Sequence, residues 1–230
     1  AVVSIGAITT AITGVGASAV KFGTDYQKAC NQLQASTNVF EDELDGLNNV
    51  MKNVYANNFG EDMNDVANAV SIVRKELGKL DEASLQNVTE YAFSLRDTFD
   101  YDISESIRSA KALMDNFGVS GEEAFNLITQ GAQNGLDYSG EMLDTISEYS
   151  VQFSKLGFSA EDMFNILQKG TESGAFNLDK VGDAIKEFSI RAIDGSNTTI
   201  DGFTRLGLNA DEMAKNLQQE EIQQEELLRK

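Results

Sequence analysis

Two pairs of adjacent carboxylates, Glu122-Glu123 and Glu161-Asp162, are the residues of this chain whose spacing best fits acid–base chemistry. Most glycosidases hydrolyse their substrates with two carboxylic residues that flank the scissile bond. Each pair, however, closely follows a serine, Ser120 or Ser159, and precedes an apolar run. That position is the first turn of a helix, where carboxylates interact favourably with the positive end of the helix dipole. We therefore predict that both pairs stabilise helix N-termini, and we assign no catalytic residue.

No pattern in the chain predicts a bound metal ion or a cofactor. The chain has no histidine and one cysteine, Cys30, so it lacks the common metal-binding and nucleophilic arrangements of these residues. Residues 194–201 resemble a calcium loop, but the sixth position is Thr199 instead of glycine and no glutamate occupies the twelfth. Gly14 and Gly16 lack the third glycine and the preceding strand of a dinucleotide-binding loop. Cys30 shares a helical face with apolar residues, which predicts a buried structural thiol.

The chain is strongly acidic, with a net charge of −19 from 37 acidic and 18 basic residues. Such a charge disfavours electrostatic binding to nucleic acid or to an anionic membrane surface. The basic residues are scattered along the sequence and form no stripe, so we predict no direct contact with nucleic acid. The first residue is Ala1, which is typical of an internal segment of a longer protein or of a processed chain.

A short pattern recurs along the chain: an apolar residue, a glycine, a second apolar residue, then a serine or asparagine followed by acidic residues. Residues 116–128 and 155–167 are its strongest copies, 205–213 is a weaker copy, and a faint one begins at residue 58. Glycine accepts the left-handed conformation that ends many helices, and serine caps the helix that follows. Each copy therefore predicts a tight corner between two helices. The serines of the two strongest copies predict capping boxes, the second of them looser.

Helical spacing of apolar residues continues along the rest of the chain, which contains no proline. Because proline breaks helix interiors, its absence favours uninterrupted helices. No segment alternates apolar and polar residues as a strand would. We predict an all-α fold, a multi-helix bundle of about ten short antiparallel helices with tight glycine corners and no sheet. The corner glycines Gly118, Gly157 and Gly207 are 39 and 50 residues apart, which favours hairpins packed into one globule over a regular solenoid.

Capping residues predict where two further helices begin, and the helical spacing of apolar residues predicts the core. Asp102 is predicted to cap one helix, and Ser139 is predicted to open another. The predicted core is the set of large apolar residues on the buried faces of the later helices: Phe117, Phe125, Ile128, Phe153, Leu156, Met163, Phe164, Val181, Ile185 and Phe188.

Composition divides the chain into three segments. Residues 1–35 are a small-residue apolar lead-in and a first amphipathic helix, residues 36–217 are the helical core domain, and residues 218–230 are a polar helical tail. Residues 1–20 carry no charge and match the length of a bilayer span, but five of them are serine or threonine and three are glycine. Three interpretations stay open for them: a small-residue helix that packs against partner helices, a membrane segment, and a flexible lead-in.

The order of these motifs resembles the core region of phage tail tape measure proteins, of the phage-related minor tail protein family. The similarity rests on residues 118–131 and 157–170, in which a Gly-x-Ser corner opens a helix and a Gln-Gly or Lys-Gly pair ends it, and on residues 179–188, DKVGDAIKEF. It covers roughly residues 15–217. The resemblance implies a structural and assembly protein of a bacteriophage or prophage. Such a protein is a long helical rod around which tail tube subunits polymerise, and its length sets that of the tail.

The resemblance also implies where the protein acts and what it contacts. It implies the bacterial cytoplasm during assembly and the lumen of the virion tail afterwards. It implies contact with tail tube subunits and tail assembly chaperones, and self-association through helices. The family has no catalytic, cofactor-binding or metal-binding residue to carry over to this segment, so we expect that the chain is not an enzyme. Two other functions stay open: a cell-wall-degrading or other helical enzyme domain of a phage tail, and a membrane-active helical protein that uses residues 1–20.

Overall fold

The computed structural model describes residues 16–39 and 41–228 as helices joined by short connections. Within this part of the chain there are eleven α-helices and no strand, which confirms the predicted all-α fold. The helices are α1 (Gly16–Thr37), α2 (Glu41–Ala56), α3 (Met63–Leu77), α4 (Glu82–Phe99), α5 (Ile103–Phe117), α6 (Gly121–Gln133), α7 (Met142–Lys155), α8 (Ala160–Glu172), α9 (Leu178–Arg191), α10 (Asn197–Arg205) and α11 (Ala210–Leu228).

The predicted corner glycines all adopt positive φ, which is 68° at Gly118, 79° at Gly157 and 76° at Gly207. At Gly157 the amide of Phe158 donates to the carbonyl of Phe153 at 3.1 Å, which is the six-to-one bond of a Schellman motif. Gly118 uses the simpler left-handed cap, with a bond from its own amide to a carbonyl four residues earlier. The helix ends at these three corners are therefore predicted correctly by the glycine pattern.

Gly131 and Gly170 do not end their helices, contrary to the prediction for the Gln-Gly and Lys-Gly pairs. Both helices continue for two further residues, and the glycines with positive φ that follow are Gly135 and Gly174. Gly131 and Gly170 are instead points of close packing. A Cβ atom on Gly131 would lie 2.9 Å from Cε1 of Phe164, closer than carbon atoms approach without a shift.

The chain divides into two compact units, with the boundary between Ser104 and Glu105 in the first turn of α5. In the first unit α2 and α3 run antiparallel, because Glu43 near the start of α2 pairs with Arg74 near the end of α3 at 3.2 Å. α2 and α4 run parallel to each other. The side-chain amide of Asn53 donates to that of Gln86, 33 residues later. One turn further on, Asn57, directly after α2, donates to the carboxylate of Glu90 in α4.

In the second unit α5, α7 and α9 also run parallel. Ser109 and Asn116 of α5 bond to residues 34 positions later in α7, at 2.8 Å in both cases. Tyr149 and Gln152 of α7 bond in turn to residues 34 and 37 positions later in α9. Alternate helices are therefore stacked side by side, while the intervening helices return the chain. The sequence analysis predicted the hairpins, but the unequal spacing of the corner glycines gave no sign of this parallel register.

Half of the predicted core residues are buried, four are half-buried, and one is exposed. Five of the ten residues are at most 8% exposed: Phe125, Ile128, Phe153, Met163 and Phe164. Four others are half-buried: Phe117, Leu156, Val181 and Ile185. The prediction for Phe188 is wrong, because this side chain is 47% exposed. α9 packs against α7 through Gly182 and Ser189, and Phe188 lies on a different face of the helix.

Ser139 does not open a helix. α7 begins at Met142, and the Asp137 carboxylate accepts a hydrogen bond from the Met142 amide at 2.9 Å. Asp137 lies five residues before the amide that it caps, whereas a capping side chain usually lies two or three residues before it. α5 begins at Ile103, directly after Asp102, as predicted.

The remaining predictions concern the ends of the chain and the thiol. Cys30 is buried in α1, and burial raises its pKa, as expected for a structural thiol.

Among the described residues no helix is both long and apolar enough to cross a membrane. Residues 1–15 lie outside the described part, so the interpretations of residues 1–20 stay open. The segment boundaries at 35/36 and 217/218 also stay predictions.

Candidate functional site

Both carboxylate pairs lie in the first turn of a helix, and the second residue of each pair completes a capping box. In α6 the Ser120 hydroxyl accepts from the Glu123 amide at 3.2 Å, and the Glu123 carboxylate accepts from the Ser120 amide at 2.9 Å. In α8 Ser159 and Asp162 make the same two bonds at 3.0 and 3.1 Å. The helix-capping role predicted for these residues is therefore confirmed, and the box at Ser159 is complete instead of loose.

The capping bonds lower the pKa of both carboxyl groups. The backbone amide and hydroxyl of Ser120 stabilise the ionised form of Glu123 and hold its pKa below the ordinary value. Ser159 lowers the pKa of Asp162 in the same way. A carboxylic general acid needs a pKa raised towards neutrality, so the environment of these two groups opposes that role.

Residues 194–201 form the start of α10 instead of a calcium loop. The Asp194 carboxylate accepts from the Ser196 amide at 2.7 Å, which lowers the pKa of Asp194. The Ser196 hydroxyl then caps the helix by accepting from the Thr199 amide at 3.3 Å. Nowhere in the part of the chain that the structure describes do three or more carboxylates or thiols converge in a geometry that could hold a metal ion.

A row of buried polar side chains joins α5 to α7. At one end the Ser109 hydroxyl donates to the Leu143 carbonyl at 2.8 Å. At the other end the Asn116 side chain donates to the Ser150 hydroxyl at 2.8 Å, and the Ser154 hydroxyl donates to the Asn116 carbonyl at 2.6 Å. Short polar side chains let the two helices approach closely while satisfying buried groups. We name this row the α5–α7 seam, and its bonds fix the register of the two helices.

A second polar cluster joins α7 to α9. The Tyr149 hydroxyl lies 2.8 Å from Oδ1 of Asp179 and 2.9 Å from Oδ1 of Asp183. A hydroxyl has one proton, so it donates to one of the two carboxylates at a time. Burial and these hydrogen bonds raise the pKa of Tyr149, which keeps the hydroxyl protonated. The Lys186 ammonium lies 5.7 Å from the centre of the Tyr149 ring and adds a favourable cation–π contact.

The first unit has its own polar tie between α3 and α4. Nη1 of Arg96 lies 3.0 and 2.8 Å from the two carboxylate oxygens of Asp65, and Nε lies 3.0 Å from Asp97. The guanidinium also lies 4.6 Å from the centre of the Phe93 ring. These three polar clusters are not predictable from local sequence patterns, because each depends on residues that are distant in the chain. The nearest signal for the α5–α7 seam is the recurrence of serine every three or four residues along α7.

Comparison with known proteins identifies a family for most of the chain. No curated protein and no solved structure matches the chain. The sequence profile of the phage-related minor tail protein family matches residues 55–228, which is most of the chain and includes parts of both units. The chain therefore belongs to the phage-related minor tail protein family and is a phage tail protein.

Proposed function

We propose that the chain is a structural segment of a tail tape measure protein, which templates the assembly of the tail tube and sets its length. The main support for this proposal is that the polar side chains bond to other groups of the same chain and so stabilise its fold. The carboxylate pairs cap helices, and the buried serines and Tyr149 join helices to one another. A member of a tail family built in this way is suited to scaffolding.

The proposal includes the absence of enzymatic activity. A cell-wall-degrading domain would need an acid with a raised pKa and a second carboxylate close to it. The paired carboxylates Glu123 and Asp162 have lowered pKa values instead, and each is held by its own serine. Purified chain should therefore leave peptidoglycan intact, and release of soluble fragments from cell walls would overturn this part of the proposal.

The proposed location is the lumen of the tail, after assembly in the bacterial cytoplasm. The proposed partners are tail tube subunits, tail assembly chaperones and further copies of the protein. The net charge of −19 supports this location, because an anionic rod would not retain the DNA that later passes through the same lumen. We propose no direct contact with nucleic acid for the same reason.

The folded segment adds little length for its number of residues. Hydrogen-bonded residues of stacked helices are 34 positions apart, so the chain returns beside itself after each hairpin. As one continuous helix, 34 residues would span about 51 Å, whereas packed helices lie about 8–10 Å apart. We therefore propose that this segment is a folded module of the tape measure and not its main ruler.

Gene deletion and in-frame deletion test the two parts of the proposal. Removal of the whole gene should leave tails unformed or of uncontrolled length, and tails of normal length would overturn the tape measure assignment. In-frame removal of residues 36–217 should shorten the tails by much less than the helical span of those residues, which is about 270 Å. Shortening by the full span, seen by electron microscopy, would show that the segment is extended in the tail.

Duplication of a hairpin gives a second measurement if the deletion blocks assembly. An extra copy of residues 142–177, which contain α7 and α8, adds about 54 Å if the segment is extended and about 10 Å if the new hairpin stacks. The difference between these two values is large enough to be measured on averaged images of tails.

A further inference from the structure

Two large aromatic side chains project into solvent from neighbouring connections of the second unit. Phe176 lies between α8 and α9 and is 86% exposed, and Tyr138 lies between α6 and α7 and is 48% exposed. The Tyr138 hydroxyl donates to the carbonyl of Ala175 at 3.0 Å, so the two connections are in contact. Isolated exposed apolar residues are common on protein surfaces, but here two exposed aromatic residues lie on connections that are in contact.

The exposure does not come from loops that stand away from the core. Leu136 precedes Tyr138 by two residues and is 1% exposed, and Leu178 follows Phe176 by two residues and is fully buried. Each connection therefore has a buried anchor beside its exposed aromatic residue. The backbone is held in a conformation that directs the ring outwards.

Hydrogen bonds hold both connections in place. A Schellman bond from the Ala175 amide to the Gly170 carbonyl at 3.0 Å fixes the start of the second connection. Asn177 caps α9 through its side-chain oxygen, and its side-chain amide donates to Glu141 of the first connection at 3.2 Å. The two aromatic side chains are thus presented on a braced backbone. Presentation of this kind lowers the entropy cost of binding.

The charges around the pair limit what can bind there. The carboxylates of Asp137, Glu141, Glu172 and Asp179 lie in or next to the two connections, against two lysines within about one helical turn, Lys169 and Lys180. An anionic membrane surface would be repelled by this rim and by the net charge of the chain. A second copy of the chain would bring the same excess of negative charge. A protein with basic residues around an apolar pocket is the complementary partner.

We propose that Tyr138 and Phe176 are the anchor of a docking surface for a separate protein, which offers an apolar pocket rimmed by lysine or arginine. Aromatic residues at the centre of an interface commonly dominate its binding energy, and the acidic rim guides the approach of a basic partner. The surface belongs to the folded chain and does not depend on the tape measure proposal.

Site-specific photo-crosslinking in infected cells tests this surface in the full-length protein. The photoreactive residue p-benzoylphenylalanine is placed at position 176 of the phage-encoded protein, and at position 188 in a matched control. Phe188 is also an exposed aromatic residue of the second unit, at 47%. We expect position 176 to yield one protein adduct whose crosslinked peptide combines apolar residues with lysine or arginine. Position 188 should not give this adduct.

Changes at Tyr138 link the adduct to the aromatic pair. In the background with the crosslinker at position 176, Tyr138→Ser should lower the adduct yield about tenfold. Tyr138→Phe keeps the ring, removes the bond to Ala175, and should retain most of the yield. Circular dichroism of both variants should be unchanged, because the Tyr138 side chain is half exposed.

The remaining outcomes overturn the proposal. These are adducts with a second copy of the chain, adducts with lipid, an equal yield at position 188, a crosslinked peptide without basic residues, and no adduct at position 176. None of them affects tail length in the deletion phage. Failure of the docking surface and failure of the tape measure assignment are therefore distinguishable.

Discussion

Gly182 of α9 lies directly against the ring of Tyr149 in α7. A Cβ atom at position 182 would be 2.6 Å from Cγ of Tyr149, so no larger residue fits there without a shift of the ring. The Tyr149 hydroxyl also lies within hydrogen-bond distance of Asp179 and Asp183, which lie on either side of this glycine in the sequence. The close contact and the hydrogen bonds together fix how α9 packs against α7.

Gly182→Ala should lower the free energy of unfolding by about 1–3 kcal/mol, even though alanine normally favours a helix. The ring of Tyr149 is held at its hydroxyl and cannot move away freely. Gly202→Ala is the matched control, because Gly202 also lies in a helix and its added Cβ would meet nothing within 4 Å. This second change should stabilise by about 0.5–1 kcal/mol. Urea titrations of both variants give the comparison, and equal effects would contradict the close contact between Gly182 and Tyr149.

Gly118→Val should destabilise the chain by about 1–2 kcal/mol, because φ at this corner is +68° and a β-branched residue is strained there. The added Cβ would meet no atom of another part of the chain within 4 Å, so the cost comes from local backbone strain and not from a clash with a neighbouring helix. Gly121→Ala, inside the first turn of α6, should instead stabilise slightly. Thermal melts followed by circular dichroism separate the two signs. A neutral Gly118→Val would mean that the corner is not fixed.

The features that the sequence predicted best are those decided by neighbouring residues. A capping box needs a serine and a carboxylate three residues apart, so Ser120 and Ser159 could be recognised without knowledge of the fold. A glycine that ends a helix is likewise a local signal, provided that a capping residue follows it. Gly131 satisfies the glycine half of that pattern but has no such capping residue after it, and it lies inside its helix.

The features that the sequence did not predict depend on which neighbouring helix packs against a given helix face. Phe188 continues the helical spacing of the apolar residues Val181 and Ile185. This spacing alone therefore predicts that Phe188 belongs to the core. Its exposure follows from the face of α9 that packs against α7, which the sequence does not specify. The α5–α7 seam could not be predicted for the same reason. Serine is mostly found on exposed helix faces, so its spacing in the sequence does not by itself indicate a buried contact.

Phe164→Ala and Phe125→Ala should each cost about 3–5 kcal/mol, because both side chains are almost fully buried, at 8% and 2% exposure. Phe188→Ala should cost about 1 kcal/mol or less, because this side chain is about half exposed. Chemical denaturation at constant temperature measures all three. A cost at position 188 equal to that at position 164 would mean that α9 is covered in solution.

Acidification should remove the contribution of the two capping carboxylates. The pKa of Glu123 and that of Asp162 are lowered in the folded chain from ordinary values of 4.5 and 3.8. Their stabilising effect is therefore fully present above about pH 5 and is lost as the pH falls through the folded-state pKa. The double variant Glu123→Gln, Asp162→Asn keeps the shape and removes both charges. Its urea midpoint should lie below that of the parent chain at neutral pH and approach it in acid, and a gap that is independent of pH would contradict the assignment.

The α5–α7 seam offers the last test, at a buried hydroxyl with one function. Ser154 is 2% exposed and donates to the Asn116 carbonyl at 2.6 Å, near the end of α5 where carbonyl groups lack partners within the helix. Ser154→Ala removes the partner of this half-buried carbonyl, so it should lower the free energy of unfolding by about 1–2 kcal/mol. Ser173→Ala, an exposed serine at the end of α8, should stay within about 0.5 kcal/mol of the parent chain. If the two variants unfold at the same urea concentration, water replaces the Ser154 hydroxyl and the seam does not fix the register of α5 and α7.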